Sequence, residues 1–208
     1  MSSGVLPAGR DSSNIPRKMA TPLRNQSPYT TGQKIKRLLW GIVQSTLFRW
    51  SLHPMYGWRA FLLRAFGAKL GANVRVRRTA TFEIPWNITL GDHVSIGDHA
   101  IVYALGPVTV GARSFLSQFA HLCAGTHDGT SPDYPLLRMP ITIGADCWIA
   151  ADAFVGPGVT IADGVLVGAR SSVFSDLPEW TVCVGNPAKP IKPREFGGRA
   201  VAAPPSVT

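Results

Sequence analysis

Cysteine is scarce in this 208-residue sequence: Cys123, Cys147 and Cys183 are its only three, and they form no CxxC motif. A disulfide-stapled scaffold is thereby excluded, and a reducing compartment fits. Long apolar runs are also missing. No stretch reaches the roughly 18 apolar residues of a spanning helix, and the opening MSSGVLPAGRDSSNIPRKM lacks the apolar core of a secretory signal, so a cytoplasmic location is expected. Acidic residues are outnumbered, 12 Asp and Glu against 21 Lys and Arg, for a net charge of +9. The excess concentrates near both ends, at Arg17, Lys18, Arg24, Lys34, Lys36 and Arg37 and again at Lys189, Lys192, Arg194 and Arg199. No RNA-binding signature or recognition-helix pattern accompanies these residues, so nucleic acid is not an expected partner.

Composition changes along the chain. Residues 1–32 are rich in Ser, Pro, Asn and Thr and poor in large apolar groups, which predicts a disordered tail. Over 33–67 a helical segment is predicted: Ile35, Leu38, Leu39, Ile42 and Val43 recur at helical spacing, and after His53-Pro54 so do Trp58, Phe61, Leu62, Ala65 and Phe66. Trp40, Arg49, Trp50, Trp58 and Arg59 flank these stripes. Such faces most often pack on the rest of the protein, which is the expectation here. The alternative is peripheral contact with a membrane, at the cytoplasmic inner surface, beside the neighbouring basic residues.

From 68 to 187 the sequence becomes a repeat of six. Ile143, Ile149, Val155, Ile161, Val167 and Val173 share one register, with Gly144, Gly156 and Gly168 after alternate members. Earlier runs are Leu70, Val76 and Phe82, then Leu90, Ile96 and Val102, then Val110, Leu116 and Leu122, with offsets between them. This period suits a coil of three short strands in which each hexad turns one corner of a triangular prism and each aliphatic points to the axis. Small residues tolerate the corner backbone, and Asn73, Asp92, Asp98, Asp146, Asp152 and Asp163 suit its turns. One coil cannot bury its own face, so several must stack. The fold class is mainly β, a parallel β-helix with an N-terminal helical segment, followed by a basic C-terminal tail over 188–208.

Between Leu122 and Ile141 the aliphatic beat stops. The insert from Cys123 to Pro135 is polar, glycine-rich and aromatic, and an excursion from a rigid scaffold is where a site is expected. Within it stands His127. An imidazole titrates near 6.5 and can accept a proton at neutral pH, which makes His127 a candidate general base, against the bland reading of a solvated loop histidine.

Several segments carry a family resemblance: Thr126-His127, then Pro140-Ile141-Thr142-Ile143-Gly144, Cys147-Trp148-Ile149, Val155-Gly156-Pro157-Gly158-Val159-Thr160-Ile161, and the closing Gly185-Asn186-Pro187-Ala188-Lys189. With Lys36-Arg37-Leu38-Leu39-Trp40, Gly57-Trp58-Arg59 and Phe66-Gly67-Ala68-Lys69 ahead of the repeat, the chain from about 33 to 194 resembles the hexapeptide-repeat acetyltransferases, in the colanic acid biosynthesis branch. That resemblance implies the left-handed form of the helix, a homotrimer with clefts between neighbouring prisms, and acetyl-CoA as co-substrate without a metal. It implies O-acetylation of a saccharide, free or lipid-linked, during exopolysaccharide biosynthesis, with His127 as the base and Asp128 as a candidate orienting group. Cofactor positions match at Trp148, Ala151, Ala169, Lys189 and Lys192. One departure stands out: Gly97 replaces the acceptor-binding Asn of galactoside-type relatives.

Three other readings compete. A drug acetyltransferase of the chloramphenicol or streptogramin type shares the donor half. A zinc-dependent carbonic anhydrase of the γ type would draw on His93, His99, His121 and His127, but the close histidine pair of that family is absent. A non-enzymatic β-helix scaffold would not depend on His127.

Overall fold

The computed structural model describes residues 29–197 and the backbone of 199–200. Most of the predicted tail, 1–28, and the end of the chain lie outside the described residues. The chain enters at Thr30, whose hydroxyl accepts from Gln33 N–H while the Gln33 side chain answers the Thr30 N–H, a capping box that starts helix α1 (Thr31–Val43). A π-helical segment, Gln44–Phe48, extends α1, and α2 spans Tyr56–Ala65.

From Lys69 the backbone winds through three parallel sheets in turn. Sheet A stacks Lys69–Leu70, Ile88–Leu90, Val108–Val110, Ile141–Ile143 and Thr160–Ile161. Sheet B stacks Arg75–Val76, Ser95–Ile96, Phe115–Leu116, Trp148–Ile149, Leu166–Val167 and Thr181–Gly185, with Ala188–Pro193 antiparallel on its last edge. Sheet C stacks Thr81–Glu83, Ile101–Tyr103, His121–Cys123, Phe154–Val155 and Ser172–Val173. Each three-member run of the repeat is therefore one coil: Leu70, Val76 and Phe82 face the axis from A, B and C, and Leu90, Ile96 and Val102 lie in register above them. The inward column is almost wholly buried, and each large member contributes about 1.5–3 kcal/mol.

The corners explain the offsets. Between A and B in each coil, and between B and C from the second coil on, one residue takes a left-handed conformation: Asn73, His93, Arg113, Asp146, Gly164 and Trp180 at the first, His99, Phe119, Asp152 and Arg170 at the second. Asp92 and Asp163 add a rung each, accepting the N–H of Ala72 and Ala145 in the coil before. The C–A corner varies instead. It carries Pro85–Asn87 as a 3-10 turn in the first coil and a hairpin in the third, and it is short in the fourth.

The helices close the first coil, whose edge has no coil beneath it. Phe82 N–H donates to Gln44 Oε1 at 2.7 Å and Phe82 C=O accepts from Trp40 Nε1 at 2.6 Å. Arg59 reaches Val76 C=O on sheet B, and Arg64 reaches Leu70 C=O on sheet A. Edge groups of all three sheets thus gain donors or acceptors from helical side chains. Trp40, Phe48, Phe66 and Phe82 pack as an aromatic plug over the axis. Trp40 and Arg59, expected at the edges of the apolar stripes, are instead buried against the prism. The stripes themselves are another difference: Ile35, Leu38, Leu39, Ile42 and Phe61 point outward and are at least half exposed.

At the far end residues 188–193 form the outer strand of a hairpin, where a tail was predicted. Arg194 follows, buried, donating to the carbonyls of Asp146 and Gly164.

Candidate active site

His127 ends the strand Gly125–His127, which pairs antiparallel with Leu136–Arg138 in a hairpin projecting from the C–A corner of the third coil. Asp128 N–H donates to Pro135 C=O across its neck. At the tip Tyr134 takes a left-handed conformation, φ 46°, and its carbonyl lies 2.6 Å from His127 Nδ1. A carbonyl oxygen only accepts, so Nδ1 must carry the hydrogen, and the basic lone pair resides on Nε2. The imidazole is exposed.

Asp128 is placed differently from the expectation. Its Oδ1 accepts from both the N–H and the hydroxyl of Thr130, at 2.9 and 2.6 Å, and these bonds hold its carboxyl below the usual carboxylate range. It stiffens the turn, while the Tyr134 carbonyl holds the ring. Nothing in the sequence signals that carbonyl, because any residue at 134 would supply it.

The matched cofactor positions lie elsewhere on the prism. Trp148 stands half-exposed on the outer face of sheet B, and its Nε1 donates to Ser117 Oγ at 2.9 Å. Ala151 and Ala169 stack at the B–C corner in successive coils, with Arg170 N–H donating to Ala151 C=O. Ala151 is half-buried and Ala169 exposed, and each offers only a methyl group there. Lys189 and Lys192 are exposed on the antiparallel strand at the last edge of sheet B. All five therefore belong to sheet B or its corner with C. The hairpin of His127 leaves from the corner opposite sheet B, so one chain alone keeps the two sets on different sides.

Beneath Trp148 the face of sheet B holds a feature not anticipated from the sequence. Phe115 pairs in register with Trp148 and borders a cleft of about 410 Å³, shared with Tyr56, Arg75, Arg77 and Phe119. Arg77 pairs with Asp98 at 3.1 Å, whereas Arg75 is exposed. The alternation Arg75-Val76-Arg77 around an inward valine was the available signal. Gly97 borders the same cleft. A Cβ built there would lie 2.6 Å from Gln118 N and from Ser117 C, so close stacking of the coils demands glycine at this position.

The other histidines are spread around the prism. His93 and His99 occupy left-handed corner positions, A–B and B–C, and His99 stacks on Phe119. His121 lies half-buried on sheet C against Phe154, and burial lowers its pKa. Among the described residues no group of three or more His, Cys, Asp or Glu could hold a metal ion.

Comparison with known proteins assigns a class to this geometry. Residues 140–175 match the family of the bacterial transferase hexapeptide, six repeats. Solved structures share the fold: a maltose O-acetyltransferase from Clostridium difficile 630 superposes with a TM-score of 0.74 at 25% identity, over 80% of this chain and 90% of that one. A galactoside acetyltransferase in complex with coenzyme A gives the same TM-score at 24% identity, over 85% and 93%. The prism is thus a left-handed parallel β-helix, and the chain belongs to the hexapeptide-repeat acetyltransferases. It is similar to the putative colanic acid biosynthesis acetyltransferase WcaF of Escherichia coli (strain K12), at 52% identity over 163 residues, 78% of this chain and 90% of that protein.

Proposed function

We propose that this acetyltransferase moves acetyl from acetyl-CoA to a saccharide hydroxyl, with His127 as general base, in a site shared between neighbouring copies of a homotrimer. The observation that carries the reading is the bond from His127 Nδ1 to the Tyr134 carbonyl, which leaves Nε2 free to take a proton. Nε2 accepts the hydroxyl proton as the hydroxyl oxygen bonds to the acetyl carbon; the carbon–sulfur bond breaks, and the imidazolium returns the proton to the departing thiolate. Such a base contributes about 10²–10⁴-fold.

Placement supports the shared site. His127 projects from one corner, while Trp148, the paired alanines and the two lysines lie on sheet B or its corner with C, and a second copy would join them. Trp148, Ala151 and Ala169 would hold the pantetheine arm close to the coils, and Lys189 and Lys192 would meet the phosphates of the nucleotide. The similarity to a colanic acid biosynthesis acetyltransferase supports a saccharide acceptor in exopolysaccharide assembly, free or lipid-linked. The cleft beneath Trp148 suits such an acceptor: its aromatic faces stack on sugar rings, and Arg75 can donate to hydroxyl or acidic groups.

The test is CoA release from acetyl-CoA by the wild-type and His127→Ala proteins, across sugars, lipid-linked saccharides and chloramphenicol. Release that depends on a saccharide and disappears in the variant supports the proposal. Equal release from both proteins removes His127 as base, and release with chloramphenicol alone moves the acceptor to the drug class.

A further inference from the structure

The helices that close the first coil have two faces. The inner one packs Trp40, Phe48, Leu62 and Leu63 onto the prism. The outer one leaves Leu38 66%, Trp50 78% and Leu52 69% exposed, in company with Ile42, Leu47 and Phe61. Leu47, Trp50, Leu52, Met55 and Trp58 enclose an apolar groove of about 460 Å³, and Trp58 stacks on Phe61. An apolar surface of this kind left open on a single chain marks a partner.

Charge identifies the partner. From Ser12 to Phe82 the sequence carries thirteen Lys and Arg and no Asp or Glu, and ten of the thirteen fall within Tyr29 to Phe82. Residues 84–188 reverse the balance, with three basic residues against nine acidic ones. The net positive charge is thus concentrated at the helical end. Arg59, Arg37 and Arg77 serve the fold, through carbonyls and through Glu83 and Asp98. Lys34, Arg49, Arg64, Lys69 and Arg78 are exposed, and none makes an ion pair among the described residues, Arg49 and Arg64 bonding only to backbone carbonyls, which leave their charge unneutralised. A second copy presenting the same end would set cations against cations. An anionic lipid surface meets both requirements: its acyl boundary takes the leucines, its headgroup layer takes the tryptophans, and its phosphates take the lysines and arginines.

We infer that the outer face of α1, the π-helical segment and α2 docks the protein on an anionic lipid bilayer, lying in the interface without crossing it. No helix among the described residues is long and apolar enough to span a membrane. This inference goes beyond the transfer reaction and needs neither acceptor nor acetyl-CoA, so its failure would leave that reaction untouched.

The experiment is flotation of the full chain with vesicles of phosphatidylcholine alone or with about one-third phosphatidylglycerol, at about 50 and about 500 mM salt. The wild type is expected to float with the anionic vesicles at low salt and to lose most of that binding at high salt. Leu38→Glu/Trp50→Glu is expected to bind at least about tenfold more weakly, with unchanged unfolding temperature and particle mass, because both residues lie outside the core. Absence of binding at low salt, or equal binding by the double variant, would overturn the inference. A fall in particle mass in the double variant would overturn it too, since the face would then be covered by a second copy.

Discussion

The role proposed for His127 depends on which ring nitrogen is free, and that is decided by an atom with no side-chain identity. The Tyr134 carbonyl holds Nδ1–H. His127→Ala should therefore lower acetyl transfer by about 10²–10⁴-fold and leave the unfolding temperature unchanged, since the ring is exposed. Steady-state rates and a thermal melt of the same preparation check both halves. Arg59 is the opposite case: fully buried, it donates to Val76, Leu52 and His53 carbonyls and to Ser51 Oγ. Removing the guanidinium leaves these acceptors without partners, so Arg59→Ala should cost about 3 kcal/mol in denaturant unfolding. Asp146 gives a pH signature. Its carboxylate takes two bonds from Arg113, which hold its pKa below the ordinary value. A depressed acid contributes stability that is present above its unfolded pKa and disappears as pH falls through the folded one. Asp146→Asn, which suits the left-handed corner, should thus melt below wild type at neutral pH and equal it in strong acid. Residues of this kind were the least legible: Arg59 read as an edge residue because helical spacing places it beside the apolar stripe, and only the open coil above explains its burial.

At the scale of elements the hexad was legible because each inward aliphatic repeats in one column, where any other residue would break the stack. The offsets carried information that spacing alone did not interpret. All fall at the C–A corner, and the hairpin of His127 is the largest expansion of a corner already enlarged in the coils before it. Replacing residues 124–140 by the Ala104-Leu105-Gly106-Pro107 corner should therefore leave a folded helix, seen in circular dichroism, that transfers no acetyl. Gly97 belongs here as well. Its departure from the galactoside-type pattern reads in sequence as a lost acceptor contact, but the coil above leaves no room for a side chain. Gly97→Asn should destabilise by about 1–3 kcal/mol in a chemical melt and gain no acceptor affinity.

For the molecule as a whole, the prism separates functions by side and end. Sheet B and its corner with C carry the matched cofactor positions, the opposite corner carries His127, and the helical end carries the apolar and cationic surface. Side-chain periodicity reports none of this division, because a one-dimensional repeat is silent about which outward residues meet a second copy. The division has a direct consequence for a trimer. On the proposed reading, His127→Ala and Ala169→Trp chains would each be inactive alone, yet a mixed trimer would contain interfaces where an intact hairpin meets an intact sheet B. The decisive measurement is acetyl transfer by His127→Ala and Ala169→Trp chains co-expressed in equal amounts, using the acceptor found in the panel above. Recovery of about one quarter of wild-type activity is expected, one half for each intact side, while either variant alone stays inactive. Mixed trimers that remain as inactive as the separate variants would contradict a site shared between copies.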